Sequence, residues 1–243
     1  DLVIAVKKWQ RENGLLADGL VGPATYRRIW TERESDIDNY VPYESKRKDE
    51  NFIIHNSKPI PIEWERVVLW SEDGGLKTAP GKYYNFSGKV DRKPTFFVNH
   101  WDVCLSSTSC QRVLDKRGAS VHFLIDNDGT IFQTLDMQHG AWHGSSGRVN
   151  RASVGVEISN AYYPKYQNWY EKRGFGERPI MKDVVVHGQK LPEFLGFYDV
   201  QIQATQALWK AIESATAVEF KAPLGSDGNT SKKYEQDVVY GKF

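Results

Sequence analysis

Two side chains in the sequence have the chemistry to hold a metal ion and to move a proton. His100 ends the apolar run TFFVNHWD at residues 95–102, and Glu157 lies in the alternating run SVGVEIS at residues 153–159. Neutral imidazole is a common zinc ligand, and a carboxylate can take a proton from water and pass it on. Taken singly, a structural core histidine and an ordinary exposed glutamate are the alternatives.

The alternation around Glu157 predicts a strand with two different faces. Val154, Val156 and Ile158 would point one way, and Ser153, Gly155 and Glu157 the other. Small neighbours leave space beside the carboxylate, which favours a face open to a ligand or a water molecule.

A second group of polar residues surrounds a loop rich in glycine and serine. The segment GAWHGSSGRVN at residues 140–150 contains Trp142, His143 and Asn150, and His122 lies in an earlier strand-like segment. Loops of this composition shape substrate clefts, although either histidine could be structural. The sequence has neither an H-E-x-x-H nor a Cys-x-x-Cys motif, so local metal-site spacing identifies nothing.

The two cysteines, Cys104 and Cys110, follow His100 closely. Thiols at this spacing can bridge a tight loop if the backbone turns between them. Two free buried thiols are the alternative.

The elements that must position these residues begin at about residue 66, where strand and helix signals alternate as in an α/β domain. Residues 120–133 predict a hairpin that turns at 127–129, because Asn-Asp-Gly favours a tight turn. Residues 200–214 predict a helix with Asp199 as its N-cap. The apolar stripe of that helix is Ala204, Leu208, Ala211 and Ile212.

The residues before this domain divide into two parts. Residues 1–30 predict a small unit of two helices, with Gly22-Pro23 starting the second and Tyr26, Ile29 and Trp30 forming its apolar face. Residues 31–65 are charged and contain proline, which is typical of a linker, while Phe52–Ile54 indicate partial docking on the next domain.

Composition excludes some classes of function. A net charge of +1 over 243 residues gives no field that would mark the whole chain as a nucleic-acid or anionic-membrane binder. No apolar run approaches the roughly 18 residues of a membrane span. The sequence starts at Asp1 without a visible targeting signal, so we expect it to begin inside a longer protein.

The N-terminal segment AVKKWQRENGLLADGLVGPATYRRIW resembles the second half of the peptidoglycan-binding domain of bacterial and phage wall hydrolases. The shared pattern is Trp9-Gln10 followed by Asp18, Gly19, Gly22 and Thr25. The resemblance implies a partial wall-binding module at residues 1–30 that lacks the first helix of the domain.

The order FFVNH, HFLIDNDGTIFQ and AWHGSSGRVNRASVGVEIS resembles the amidase-2 family, whose fold is shared with peptidoglycan recognition proteins. The resemblance covers about residues 66–215. It implies an α/β (α+β) fold, in which a mixed sheet is flanked by helices and a zinc ion is held in a groove, within a catalytic domain spanning 66–243.

The resemblance also implies roles for individual residues. His100 matches the first zinc ligand, and Glu157 matches the catalytic glutamate of one branch of the family, while Val121 stands where the other branch has a tyrosine. His143 matches a substrate-contacting loop residue and Asn150 the asparagine before the glutamate strand, and we expect Trp142 and His122 to bind substrate with them. Cys104 and Cys110 have a spacing like that of the recognition proteins' disulfide.

One departure concerns the remaining zinc ligands, which the family places after the long helix as a histidine and a cysteine or aspartate. The sequence after residue 219 contains neither histidine nor cysteine, and His187 precedes the helix. Nothing in the sequence places Asp227 or Asp237. Stable zinc sites take three protein ligands, so we expect the remaining ligands to lie beyond Phe243, the last residue of the sequence.

The expected function is zinc-dependent hydrolysis of the amide between N-acetylmuramic acid and L-alanine in peptidoglycan, at the bacterial cell wall. A bacterial wall enzyme and a phage lysin both fit the sequence. Two alternatives are a non-catalytic peptidoglycan-recognition module of the same fold and a peptidase that cuts within the stem peptide.

Overall fold

The computed structural model describes residues 1–37, 40–43, 51–88, 92–186 and 189–221. Within these ranges the helices are α1 (Leu2–Glu12), α2 (Pro23–Asp36), α3 (Ser107–Arg117), α4 (Gly147–Ala152), α5 (Gln167–Lys172) and α6 (Asp199–Ala215). The strands are β1 (Phe52–His55), β2 (Lys58–Pro61), β3 (Val67–Leu69), β4 (Tyr83–Tyr84), β5 (Phe96–Trp101), β6 (Phe123–Ile125), β7 (Ile131–Gln133), β8 (Gly140–Ala141), β9 (Ser153–Ile158), β10 (Ile180–Met181), β11 (Val185–Val186), β12 (Gln189–Lys190) and β13 (Phe194–Leu195).

A five-stranded mixed sheet forms the centre of the molecule, in the order β3-β7-β6-β9-β5. The β6–β7 pair is antiparallel and is the predicted hairpin, while the other pairs are parallel. Gly129 has a φ of 81° at the hairpin turn, a conformation that glycine adopts without steric cost. The predicted mixed sheet flanked by helices is therefore confirmed.

Helices cover the two faces of the sheet. One face packs on α6, through a core that includes Phe97, Val154 and Leu208. The other packs on α3, through a smaller core that includes Leu124 and Val113. Because side chains alternate along a strand, every residue of β9 contributes to one of these two layers, and all six are buried.

Helix α6 confirms the predicted apolar stripe but not the predicted cap. Ala204, Leu208, Ala211 and Ile212 are all buried. Asp199 is the first helical residue, so the N-cap position falls on Tyr198. The Tyr198 backbone amide donates to the Gln201 side-chain oxygen at 3.2 Å, which satisfies a donor that the helix leaves free.

The buried side chain of Gln10 organises the N-terminal helical unit. Its amide nitrogen donates to Asp18 Oδ1 at 2.9 Å, to the Leu20 carbonyl at 2.9 Å and to Thr25 Oγ1 at 3.0 Å. Its oxygen accepts from the Gly19 backbone amide at 2.8 Å. One buried amide thus joins α1, the turn and the start of α2, which gives a physical reason for the sequence pattern of this segment.

Helix α2 extends to Asp36 and docks on the rest of the molecule through both polar and aromatic side chains. Its buried positions are Thr25, Arg28, Thr31 and Glu34. Tyr26 and Trp30 of the predicted apolar face are half-buried and pack against the core beside α3, whereas Ile29 is 43% exposed. The apolar periodicity of the helix could not predict which of its polar residues are buried, because the orientation of α2 is set by partners that lie far away in sequence.

The predicted linker at residues 31–65 contains the hairpin β1–β2. Ile53 of that hairpin is fully buried in the core beneath α6. The Gln133 side chain donates to the Ile54 carbonyl and accepts from its amide, both at 2.7 Å, as a strand neighbour would. This segment therefore docks on the sheet, while the division into 1–30, 31–65 and 66–243 stays a prediction.

No helix among the described residues combines the length and the hydropathy needed to cross a membrane.

Replacing Ile53 with alanine tests whether the hairpin belongs to the cooperative fold. We expect the free energy of unfolding to fall by about 2–5 kcal/mol, because the change leaves a cavity in a packed core. The control is Val41→Ala, at an 80% exposed position, which should shift stability by less than about 0.5 kcal/mol. Urea denaturation measures both, and equal small effects would show that the hairpin is dispensable.

Candidate functional site

The register of β5 against β9 places the two chemically suited side chains together. The strands run parallel, and His100 is the direct partner of Glu157. Directly paired residues project to the same side of a sheet, so imidazole and carboxylate are neighbours on the face that α3 covers. The strand pairing thus brings together residues that are 57 positions apart in the sequence.

Glu157 is more enclosed than its alternating strand predicts. Its side chain lies on a buried face rather than an open one, because α3 packs there, and the residue is only 8% exposed. Its Oε2 atom has no hydrogen-bond partner among the described residues. Burial raises the pKa of Glu157 to about 7, while the charges of Arg27 and Arg117 act to lower it.

His100 forms a relay with two other side chains on this face. Its Nε2 lies 2.9 Å from His143 Nδ1, and His143 Nε2 lies 3.1 Å from Ser153 Oγ. Since Ser153 Oγ donates to the Val149 carbonyl, it accepts from His143 Nε2. His143 Nδ1 then accepts from His100 Nε2, which leaves the lone pair of His100 on Nδ1.

Both histidines of this relay are neutral. Burial lowers the pKa of His100, with a smaller contribution from the charge of Arg27. Burial and the neighbouring His100 lower the pKa of His143 to about 3. A neutral imidazole is the form that ligates a metal, so the enclosure favours ligation over protonation.

Gly155 makes room for the His143 ring. A Cβ atom at this position would lie 2.7 Å from ring atoms of His143, closer than side-chain atoms pack. The space beside this small residue, between Ser153 and Glu157, is therefore filled by a loop side chain rather than left open.

Asn150 supports the loop that carries His143. The Asn150 Oδ1 atom accepts from the amides of His143 at 3.2 Å and Gly144 at 2.6 Å, and the residue is 7% exposed. Its side-chain oxygen thus positions the loop, and the expected contact of Asn150 with substrate stays a prediction. Trp142 is half-buried and packs edge-on against Tyr84, with ring centroids 5.8 Å apart.

His122 does not have the expected access to substrate. It is fully buried, its Nδ1 accepts from the Gly155 amide at 3.1 Å, and its Nε2 donates to the His139 carbonyl at 3.0 Å. Because both ring nitrogens are used inside the protein, direct substrate contact is excluded in this structure. His122 instead ties β9 to the segment before β8.

The two cysteines lie behind the site as free, buried thiols, so the expected disulfide is not formed in the structure. The donor atoms of Asp102, Cys104 and Cys110 all lie within 4.8 Å of one another. Asp102 already accepts hydrogen bonds from Cys104 N, Asn160 N and Ser159 Oγ. This group therefore anchors the end of β5, and its carboxylate oxygens have protein partners in place of a cation.

The ring nitrogens at the site differ in whether they are free to ligate a metal. His100 Nδ1 keeps a lone pair, whereas both ring nitrogens of His122 and of His143 have hydrogen-bond partners. A stable zinc site takes three protein ligands. A complete site therefore needs ligands from outside the described residues.

The expected position of those remaining ligands, beyond Phe243, lies outside the part of the chain that the structure describes. The described residues end at 221, so Phe243 itself, Asp227 and Asp237 fall outside them, as does His187. The location of the remaining ligands stays a prediction. The assignment of His100 as a zinc ligand also stays a prediction.

Sequence reasoning missed the charged residues around the site. Arg27 comes from α2 and Arg117 from the end of α3, and both act on Glu157. Neither lies in a motif, since their positions depend on how two helices pack. Ser153 could have been found, because strand alternation places it on the same face as Glu157.

Comparison with known proteins agrees with this arrangement. The profile of the amidase-2 family, described as N-acetylmuramoyl-L-alanine amidase, matches residues 90–222, which include β5, β9 and α6. The chain belongs to the N-acetylmuramoyl-L-alanine amidase family. The match contains His100 and Glu157 and starts after α1 and α2.

Individual relatives match different shares of the chain. An N-acetylmuramoyl-L-alanine amidase of Rickettsia conorii is 37% identical over 76 residues, which is 28% of this chain and 28% of that protein. The amidase AmiD from E. coli is 21% identical, with a TM-score of 0.38, over 60% of this chain and 55% of that one. A peptidoglycan recognition protein of Alvinella pompejana is 18% identical, with a TM-score of 0.36, over 70% and 92%. The chain thus spans about half of AmiD and less of the Rickettsia relative.

Burial of Glu157 predicts a pH-dependent stability difference between the protein and Glu157→Gln. A carboxyl whose pKa is raised in the folded state keeps its proton there after the unfolded chain has lost it, so stability falls as pH rises from about 4.5 to about 7. The glutamine variant lacks this loss and should gain about 3 kcal/mol relative to the parent between pH 4 and 8. Urea denaturation in the presence of a chelator measures the difference, and a difference that stays constant with pH would contradict the assignment.

Proposed function

We propose that the protein hydrolyses the amide bond between N-acetylmuramic acid and L-alanine in peptidoglycan, with zinc as its cofactor. The observation that carries the proposal is the pair His100–Glu157, held side by side by the strand register within a chain of the amidase family. The pair offers a metal-ligating nitrogen beside a carboxylate oxygen without a partner among the described residues.

Glu157 is the residue that moves protons in this proposal. A pKa of about 7 lets the carboxylate accept a proton from the attacking water and give it to the departing amine of L-alanine near neutral pH. The low-polarity surroundings that raise this pKa also strengthen electrostatic interactions with the reacting groups.

His143 and Ser153 orient His100. The relay from Ser153 through His143 fixes both the ring plane of His100 and the nitrogen that carries its proton. Partners of this kind, behind a ligating histidine, set its tautomer and its basicity.

Zinc, when bound with His100 among its ligands, would polarise the scissile carbonyl and lower the pKa of water. We propose that the remaining zinc ligands lie after α6 and beyond Phe243, in the order that the family implies.

The loop with Trp142 and His143 is proposed to form one side of the substrate groove. E. coli AmiD was solved with anhydro-N-acetylmuramic acid-L-Ala-D-gamma-Glu-L-Lys, which its description names as substrate. We propose a muropeptide of this class for the present chain, which places its action at the bacterial cell wall. A wall-binding role of residues 1–30 would add affinity through a second attachment point.

Glu157→Gln tests the enzyme against a non-catalytic recognition module. We expect a 10²–10⁴-fold loss of turnover, because a carboxamide cannot accept the proton, with fold and zinc content unchanged. Glu63→Gln, at an exposed position, is the matched control and should keep full activity. The measurement is mass spectrometry of digested peptidoglycan, which counts new L-alanine amino termini.

The same digest separates the other functions. New termini elsewhere in the stem peptide would indicate a peptidase instead. Binding to peptidoglycan without any cleavage, in a zinc-loaded protein, would indicate a recognition module.

His100→Ala tests the metal assignment. In a protein that extends past Phe243, we expect the variant to lose bound zinc in metal analysis after dialysis, because the neutral imidazole at the strand end is removed. Unchanged zinc content would show that His100 is not a ligand of the metal. Cys110→Ala is the comparison, and zinc retention is expected there because the cysteine group is not part of the proposed site.

A further inference from the structure

A cleft of about 320 Å³ separates the N-terminal helical unit from the amidase domain. Arg27 and Arg28 of α2 line one side, together with Leu15. Val103, Tyr162 and Tyr163 line the other. Val103 follows β5, the strand that ends with His100 and Trp101, so the cleft lies at the end of the strand that carries His100.

Two residues of this cleft have unfavourable backbone conformations. Val103 has a φ of 55° and Tyr162 a φ of 71°. The left-handed region is costly for a β-branched or bulky residue, and such strain is retained where surrounding contacts enforce it, often at functional sites. Here Thr31 of α2 donates to the Val103 carbonyl at 2.9 Å, which holds the strained residue against the helix.

The two arginines of the cleft have different surroundings. Arg28 is buried, pairs with Glu32 at 3.0 Å, donates to the Tyr166 hydroxyl at 2.8 Å and stacks on Tyr163 at 3.5 Å. These contacts make it a structural residue that fixes α2 on the domain.

Arg27 has no such pairing. Its hydrogen bond to the Asp102 carbonyl is long, at 3.5 Å, and its Nε is buried without a partner. Among the described residues it forms no ion pair. The guanidinium thus lies at the carbonyl of Asp102, two residues after His100, and its charge acts to lower the pKa of both His100 and Glu157.

We propose that this cleft binds the peptide part of the substrate, with Arg27 pairing to a peptide carboxylate. The N-terminal helical unit then forms one wall of the substrate site instead of acting only as a separate wall-binding module. This inference rests on the proposed function and specifies that the peptide part of the substrate lies on the side of the domain that faces α2.

The chemistry of the cleft favours a peptide over a sugar. Every peptide carries a C-terminal carboxylate, and a planar guanidinium with free donors binds carboxylates through paired hydrogen bonds. Tyr162 and Tyr163 line the wall opposite the arginines, and Leu15 lies on the arginine side. These side chains give the cleft apolar surface that suits aliphatic side chains.

The test compares two soluble substrates, N-acetylmuramoyl-L-Ala-D-γ-Glu-L-Lys and the same compound with its peptide carboxylates amidated. Loss of the Arg27 charge also raises the pKa of Glu157, so each protein is assayed at its own pH optimum. For Arg27→Ala we then expect KM for the first substrate to rise about 10- to 100-fold, since a charged hydrogen bond is lost, with kcat changed less than about twofold. The amidated substrate should be affected less than about threefold. Arg27→Lys should recover part of the loss, and Arg33→Ala, an exposed arginine on the same helix, should change neither substrate.

Equal losses on the two substrates, or none on either, would overturn the peptide assignment while leaving the amidase reaction intact. If the parent protein cleaves neither substrate, the proposed function fails, and calorimetry with the peptide L-Ala-D-γ-Glu-L-Lys still tests the cleft. Binding to the parent but not to Arg27→Ala supports it. If the peptide does not bind the parent protein, or binds a well-folded Arg27→Ala variant equally well, the proposal that the cleft binds the peptide is wrong.

Discussion

The parallel pairing of β5 with β9 is the constraint on which the rest of the site depends. A shift of one residue in this register would move His100 or Glu157 to the opposite face, under α6, because side chains alternate along each strand. Hydrophobic packing on both faces resists such a shift, with Phe97, Val154 and Val156 buried in one layer. The chemistry is thus specified by the same core that stabilises the sheet.

Burial then determines the protonation states of His100 and Glu157, which this strand pairing brings together. Burial keeps His100 and His143 neutral and raises the pKa of Glu157 into the neutral range. The nearby charges of Arg27 and Arg117 limit that rise. One physical cause, loss of water, therefore sets the charge state of both side chains as the proposed roles of ligand and proton carrier require, and the two arginines limit its effect on Glu157.

The sequence predicted the parts of this arrangement that depend on local pattern. Alternation in SVGVEIS identified the strand and the side on which Glu157 lies, and the apolar spacing around Leu208 identified α6. It did not reveal that α2 also docks through buried polar residues, or that both ring nitrogens of His122 are used internally, because those facts arise from contacts between distant segments. A single sequence contains little local signal for such contacts.

The measurement that bears most directly on the metal at His100 is an anomalous-scattering map of zinc-loaded crystals, recorded at the zinc absorption edge. We predict a peak about 2.0–2.1 Å from His100 Nδ1, on the face of the sheet that carries Glu157. A peak among Asp102, Cys104 and Cys110, with none beside His100, would contradict this prediction.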